Sequence, residues 1–308
     1  MPSLLNFCDT PPVNTFVRLL CLFLVLNLNT RSEAQAPALR QNLDAAYQKW
    51  RAAILSQDAR AWANSVTRYR QVVTRNLIVS QKQPFPQAVF AVPLDPPDIS
   101  GLRLLEAQAV GPTAHTLYFG KVNLGGDPGQ IPDSVLMLKF FNENGSWRFD
   151  SSKVLKLLDH PELIAQMKGT APMDFLDYPE FTPPGKVPSV PALCEIPENM
   201  AGCTLQSFGY ETRMRVNGFD YPVMQDHAEK FFVIGGLKNG ANDVSLIIKP
   251  TDIPAGEERL LQLDFFVLTG KAGKPPVRVF HYDTKEATVT SPLKLPVTIT
   301  AEVLDKGR

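Results

Sequence analysis

From Cys203 onward the chain is cut into short alternating apolar runs, each closed by turn residues. The runs cover residues 205–208, 212–216, 231–234, 244–248, 260–269, 277–282 and 297–303. Asn217-Gly218, Gly235-Gly236, Asn239-Gly240, Pro254-Ala255-Gly256 and Ser291-Pro292 stand between them. A period of two puts alternate side chains on one face, which a strand satisfies and a helix does not. Short strands repeating at this interval predict an antiparallel β-sandwich over residues 203–308.

The preceding half has a different rhythm. Leu43, Tyr47, Trp50 and Ile54 recur at helical spacing, with Ala46 and Ala53 on the same stripe. Ser56-Gln57-Asp58 interrupts this, and Asp58 suits the N-cap of a second helix carrying Trp62, Val66, Tyr69, Val73 and Leu77. Pro84, Pro86, Pro93, Pro96 and Pro97 then exclude a continuous helix. Strand-like runs follow at 102–110, 116–122 and 135–141, and Asn144-Gly145 predicts a tight turn into a returning strand at 146–149. A short helix at 161–168 closes an α+β domain spanning residues 37–169. Residues 170–202 hold Pro172, Pro179, Pro183, Pro184, Pro188, Pro191 and Pro197, which predicts an extended, semi-rigid linker.

The N-terminus sets the compartment. Residues 19–28 form an apolar run too short to span a bilayer, which needs roughly 20 residues. It has the length of a signal-peptide core, with Arg18 at its front edge and Ala34-Gln35-Ala36 as a small-x-small cleavage site. Residues 1–36 therefore read as a secretory signal, and the chain as a secreted or periplasmic, bacterial-type export with no transmembrane segment after cleavage. Cys8 and Cys21 leave with the signal. Cys194 and Cys203 remain, and an even pair in an oxidising compartment predicts a disulfide worth roughly 2–3 kcal/mol.

The signal carries Asp9, Arg18, Arg31 and Glu33, so its removal leaves a neutral chain. Neutrality argues against nucleic acid, whose binding needs a basic excess. The charge is nevertheless uneven. Arg40, Lys49, Arg51, Arg60, Arg68, Arg70, Arg75 and Lys82 face only Asp44 and Asp58 within residues 37–83, and residues 84–185 are acidic in excess. Two solvated faces attracting each other account for this. A basic surface at Arg60, Arg68, Arg70 and Arg75 that meets an anionic lipid, polysaccharide or protein partner accounts for it as well.

The segment Ala45-Ala46-Tyr47-Gln48-Lys49-Trp50, the Ser56-Gln57-Asp58 break and the hairpin over 136–149 together resemble the NTF2-like (cystatin-like α+β) superfamily, over about residues 39–168. That resemblance implies a curved antiparallel sheet wrapped on helices around a cone-shaped pocket. Members include ketosteroid-isomerase-like enzymes as well as binding and dimerising modules, so a homodimer is among the implied arrangements. The C-terminal part is similar in general pattern to Ig-like or jelly-roll modules.

Trp50, Tyr47 and Tyr118 are the residues expected to line such a pocket. An isomerase-like site needs a carboxylate base and hydrogen-bond donors for an oxyanion. Tyr118 and His115 are the candidate donors, and Glu106, on the preceding strand, is the candidate base. His281 and Asp283 share a strand face, but two ligands make no metal site. No serine sits in a G-x-S-x-G turn, and no glycine-rich loop opens a helix that would hold a phosphate. No metal or other cofactor is expected. The chemistry therefore favours an exported, non-catalytic binding or interaction protein. An isomerase or hydrolase in the NTF2-like pocket is the alternative. A carbohydrate-binding sandwich using Tyr210, Phe219, Tyr221 and Tyr282 is the third reading.

Overall fold

The computed structural model describes residues 37–91, 95–123, 131–157, 161–169, 176, 179–268, 275–284 and 291–305. The signal segment, the loop at Gly125-Gly126 and the pair Asp159-His160 lie outside the described residues. The chain is α+β, with mostly antiparallel sheets, and divides into two compact units. The first holds the described residues up to Lys49 with Pro97–Val187; the second holds Trp50–Pro96 with Pro188–Arg308.

In the first unit, α1 (residues 37–55) begins and a four-stranded meander follows. The strands are β1 (Arg103–Val110), β2 (Thr113–Lys121), β3 (Asp133–Glu143) and β4 (Ser146–Lys156), paired in that order, all antiparallel. Asn144 and Gly145 adopt φ of 53° and 80°, the left-handed turn that the Asn-Gly pair predicts. Both faces of the sheet are covered. Leu117, Phe119, Val135 and Met137 pack with Met167 of α4 (Pro161–Lys168) and with Phe181. On the other face Phe149 meets both Phe140 and Tyr47 of α1 edge-to-face, at centroid distances of 6.0 and 5.6 Å.

The second unit contains the C-terminal part of α1, from Trp50, together with α2 (Ala59–Ser65) and α3 (Arg68–Ser80). Asp58 caps α2 as expected, its carboxylate accepting from the Arg60 and Ala61 amides. The single second helix of the sequence reading is broken, however. Val66 is extended and Thr67 recaps the chain, its hydroxyl accepting from Arg70 N. The new cap resets the helical phase. Val72, Asn76, Val79 and Ser80 are buried, whereas Leu77 is exposed. Asn76 then anchors the Pro-rich segment: it donates to Ala192 O at 2.8 Å and accepts from Cys194 N at 3.0 Å. Ser80 Oγ accepts from Gly235 N, and Lys82 donates to Glu198 O. These bonds explain why residues 50–96 group with the C-terminal strands, and why residues 192–198 are held in place although rich in proline.

Seven strands build the rest: β5 (Ala201–Val216), β6 (Phe219–Asp220), β7 (Met224–Phe232), β8 (Gly240–Pro250), β9 (Leu260–Val267), β10 (Val277–Asp283) and β11 (Leu293–Ile299). The two strands expected at 205–208 and 212–216 are one long β5, kinked at Gly209, whose φ is +70°. Asp226 on β7 secures the kink by accepting from Gly209 N at 2.8 Å. β7 follows one edge of β5 on both sides of the kink; β9 takes the other edge before it and β8 after it. The sheet thus forks into a β9–β10 leaf and a β8–β11 leaf. Between them runs a core with strict period-two spacing: Cys203 and Leu205, Met214 and Val216, Val244, Leu246 and Ile248, Leu261, Leu263 and Phe265, Leu295, Val297 and Ile299. The last expected strand ends earlier than its apolar run, and α5 (Ala301–Asp305) takes the end.

The disulfide expected between Cys194 and Cys203 is corrected: both thiols are free and buried. Each is committed to its own surroundings. Cys194 Sγ lies 3.5 Å from Asn76 O and 3.7 Å from Ser80 Oγ. Cys203 sits on the core face of β5, where burial pushes its thiol up to about 12 against a backbone hydrogen bond with Phe231.

Candidate functional site

His115 and Tyr118 both lie on β2, three residues apart, in a strand with unbroken register to β3. They therefore point to opposite faces of the sheet and belong to different surroundings. His115 shares the face of Leu117 and Phe119. Its Nε2 is 3.0 Å from a Glu106 carboxylate oxygen, and Lys139 lies beside it in register on β3. Burial lowers the imidazole below its ordinary value; the Glu106 hydrogen bond and charge oppose that, and Lys139 adds to it. The ring is held neutral in a dry position, as an internal hydrogen-bonding group.

Tyr118 faces α1. Its hydroxyl donates to the Asp44 carboxylate, and Arg40 Nε lies 3.4 Å from the other Asp44 oxygen, one helical turn away. Burial and the Asp44 contact raise the phenol well above its ordinary range. Tyr47, on the same helix, is fully buried and donates to Pro97 O at 2.8 Å. Tyr118 and Tyr47 are thus packed side chains with spent hydroxyls, and Trp50 is half-buried. The carboxylate beside Tyr118 is Asp44, and the expected base, Glu106, is with His115 instead. Asp44 is 74 residues from Tyr118, beyond what any local spacing reveals.

In the second unit Arg60 and Arg68 are exposed, while Arg75 donates to Cys194 O at 3.0 Å and to Asn76 Oδ1 at 3.2 Å. Arg75 therefore serves the fold. Of the aromatics considered for sugar binding, Tyr210 is buried in the core, and Tyr221 and Tyr282 pack against it. No exposed coplanar set arises from them.

The accessible geometry lies on the outer face of β7, β5, β9 and β10. The register aligns two rows across these strands. One row is Phe232, Gly202, Phe266 and Arg278; the next is Lys230, Thr204, Asp264 and His281. Asp264 is buried although it belongs to the outer face. Its Oδ1 lies 2.8 Å from His281 Nδ1 and 3.6 Å from Arg278 Nη1, and its Oδ2 accepts from Gln262 Nε2 at 2.9 Å. Gln206 Nε2 donates in turn to Gln262 Oε1 at 3.2 Å, so a hydrogen-bonded chain crosses three strands. An ionised carboxylate only accepts, so the contact takes an N–H from His281 Nδ1, and the Nε2 edge of this exposed ring is turned away from Asp264. The first row forms a groove of about 390 Å³ with Gly202 at its floor and Phe232, Phe266, Leu268 and Pro276 around it. Sequence reading paired His281 with Asp283, its neighbour along one strand. The partner on the adjacent strand was hidden because a bulge in β10 sets the β9–β10 register. A second cavity of about 300 Å³ lies among Leu193, Ile196, Phe219 and Ile234.

Among the described residues no group of three or more His, Cys, Asp or Glu is placed to hold a metal ion, and no helix is long and apolar enough to cross a membrane. What the fold defines is a class: an α+β protein of mostly antiparallel sheets carrying an apolar groove beside a buried carboxylate. No protein-family model, curated protein or solved structure matches the chain.

Proposed function

We propose that the chain is an exported, non-catalytic binding protein that meets its partner on the outer face of the C-terminal strands. In this reading β1–β4 with α1 form an NTF2-like half, and the forked strands form a β-sandwich of Ig-like character. The helix-first order and the antiparallel meander with its Asn144-Gly145 hairpin support the first assignment, and the period-two core between the two leaves supports the second. Export rests on the apolar run at 19–28 and Ala34-Gln35-Ala36.

The observation that carries the binding reading is a contrast in access. His115, Tyr118 and Tyr47 are buried and hydrogen-bonded internally, whereas the groove over Gly202 is open and largely apolar. Native mass spectrometry of the purified chain tests it. A retained small molecule or protein is expected, and steady turnover of any substrate overturns the non-catalytic part.

One observation favours the second reading, an isomerase or hydrolase in the first unit. Asp44 and Tyr118 bring a carboxylate and a phenol together, and a substrate would have to displace their mutual hydrogen bond to use them as base and donor. Under that reading Asp44→Asn abolishes turnover; under the binding reading there is no turnover to lose.

A further inference from the structure

The groove over Gly202 has a shape and a charge that narrow its ligand. Gly202 sits on β5 between Phe232 on β7 and Phe266 on β9, in register with both. Neighbouring strands are about 4.8 Å apart, so the two phenylalanines stand about 9.6 Å apart over a residue with no side chain. A flat ring placed midway lies about 4.8 Å from each, inside the roughly 4.5–7 Å range of favourable aromatic pairs. An aliphatic chain fills such a slot less completely, because only a flat group presents a face to both walls. Phe232 is among the most exposed of the described aromatics, which leaves its ring available to a ligand.

Charge fixes the other end. In the row beside the slot stand Lys230 and Thr204, both lining the groove. Asp264 in that row is already engaged by His281, Gln262 and Arg278. Lys230 is exposed and makes no ion pair among the described residues; Glu229 next to it pairs with His227 at 3.6 Å. The cation at the mouth of an apolar slot is therefore free to meet an anion, with the Thr204 hydroxyl beside it as a further donor.

We propose that this slot binds an aromatic carboxylic acid, with the ring between Phe232 and Phe266 over Gly202 and the carboxylate on Lys230. The proposal rests on the binding reading above and names its ligand class. Arg278, at the far end of the Phe266 row, is turned to Asp264 and takes no part in holding the carboxylate.

The test uses the full chain and 2-naphthoate as a fluorescent probe, with uncharged 2-naphthamide as its isostere. Saturable binding of the naphthoate is expected, with the amide weaker by about tenfold, the loss of one charge-assisted contact. Lys230→Gln is expected to weaken the naphthoate by about tenfold and leave the amide unchanged. Gly202→Ala puts a methyl into the slot and is expected to weaken both. That methyl meets Phe231 O at 3.3 Å and Leu268 Cδ2 at 4.0 Å, so a small backbone shift accompanies it. Phe232→Ala, at an exposed position, gives the same test without adding an atom to the sheet. Absence of naphthoate binding, equal binding of the amide, or indifference to both Gly202→Ala and Phe232→Ala overturns the assignment. If naphthoate fails while native mass spectrometry of the same preparation retains another species, the slot assignment falls and the binding reading stands. If nothing at all is retained, both fall.

Discussion

Each unit pairs one histidine with one carboxylate across neighbouring strands, and the two pairs are inside out relative to each other. In His115–Glu106 the histidine side chain is 3% exposed and the carboxylate 29%. In His281–Asp264 the carboxylate is 8% exposed and the histidine 43%. The dry partner decides the role. A buried imidazole is disfavoured as a cation and becomes a neutral core group, with the carboxylate serving it. A buried carboxylate held by several donors instead orients an imidazole outward and presents its free nitrogen to solvent. The same two residue types thus produce structure in one sheet and a surface feature in the other.

The largest way to break this comparison is to remove a packed side chain from the first sheet. Tyr118→Ala deletes a fully buried ring and strands Asp44 beside Arg40. A loss of about 3–5 kcal/mol in denaturant unfolding is expected. A loss below about 1 kcal/mol would mean that Tyr118 lines a hydrated pocket, and would move weight to the enzymatic reading.

Next in size is deletion of the exposed member of each pair. Glu106→Ala leaves the buried His115 nitrogen without its partner, at an expected cost of about 1–3 kcal/mol. His281→Ala leaves Asp264 with Gln262 and Arg278, and water reaches the vacated position, so about 1 kcal/mol or less is expected. Equal losses in the two variants would erase the distinction between the pairs.

These pairs also show what a sequence can and cannot reveal. Asn144-Gly145, Asn217-Gly218 and the Asp58 cap are local: each needs only its own backbone, and each forms as expected. Parity along a strand is local too: it places His115 and Tyr118 on opposite faces of β2, which corrects the expectation that one pocket takes both as candidate donors. Glu106 and His115 are legible individually, as polar residues on successive predicted strands, and their contact comes from the β1–β2 pairing. Asp44–Tyr118 and Asp264–His281 were missed, since each pairing is set by tertiary packing or by a bulge in the register. The recapping at Thr67 was missed for a related reason. The apolar periodicity runs on through Val66, where the backbone turns extended and Thr67 caps a new helix. The disulfide failed because an even count of cysteines in an exported chain says nothing of where each thiol points.

Acid acts on the His115–Glu106 pair with a definite sign. The folded value of His115 lies below its ordinary 6.5, so the unfolded chain takes up a proton first as the pH falls. Stability is full above about 6.5 and declines from there toward the folded value. Thermal melts from neutral to mildly acidic pH should show that decline, and His115→Gln should flatten it. A slope that survives His115→Gln would assign the titration to another group.

The smallest expected effect is the most discriminating. Lys230 is exposed on β7 and makes no ion pair among the described residues, so Lys230→Gln should change unfolding stability by no more than about 0.5 kcal/mol. Glu106→Ala, which also removes one charge from a strand surface, should fall outside that range because a buried group depends on it. A silent stability change at Lys230 gives the binding comparison its meaning: any weakening of an aromatic carboxylate by this variant then comes from the lost charge and not from a loosened sheet. A stability loss at Lys230 comparable to that at Glu106 would show instead that the ammonium is holding the fold, and the outer face of the second unit would be as structural as the inner face of the first.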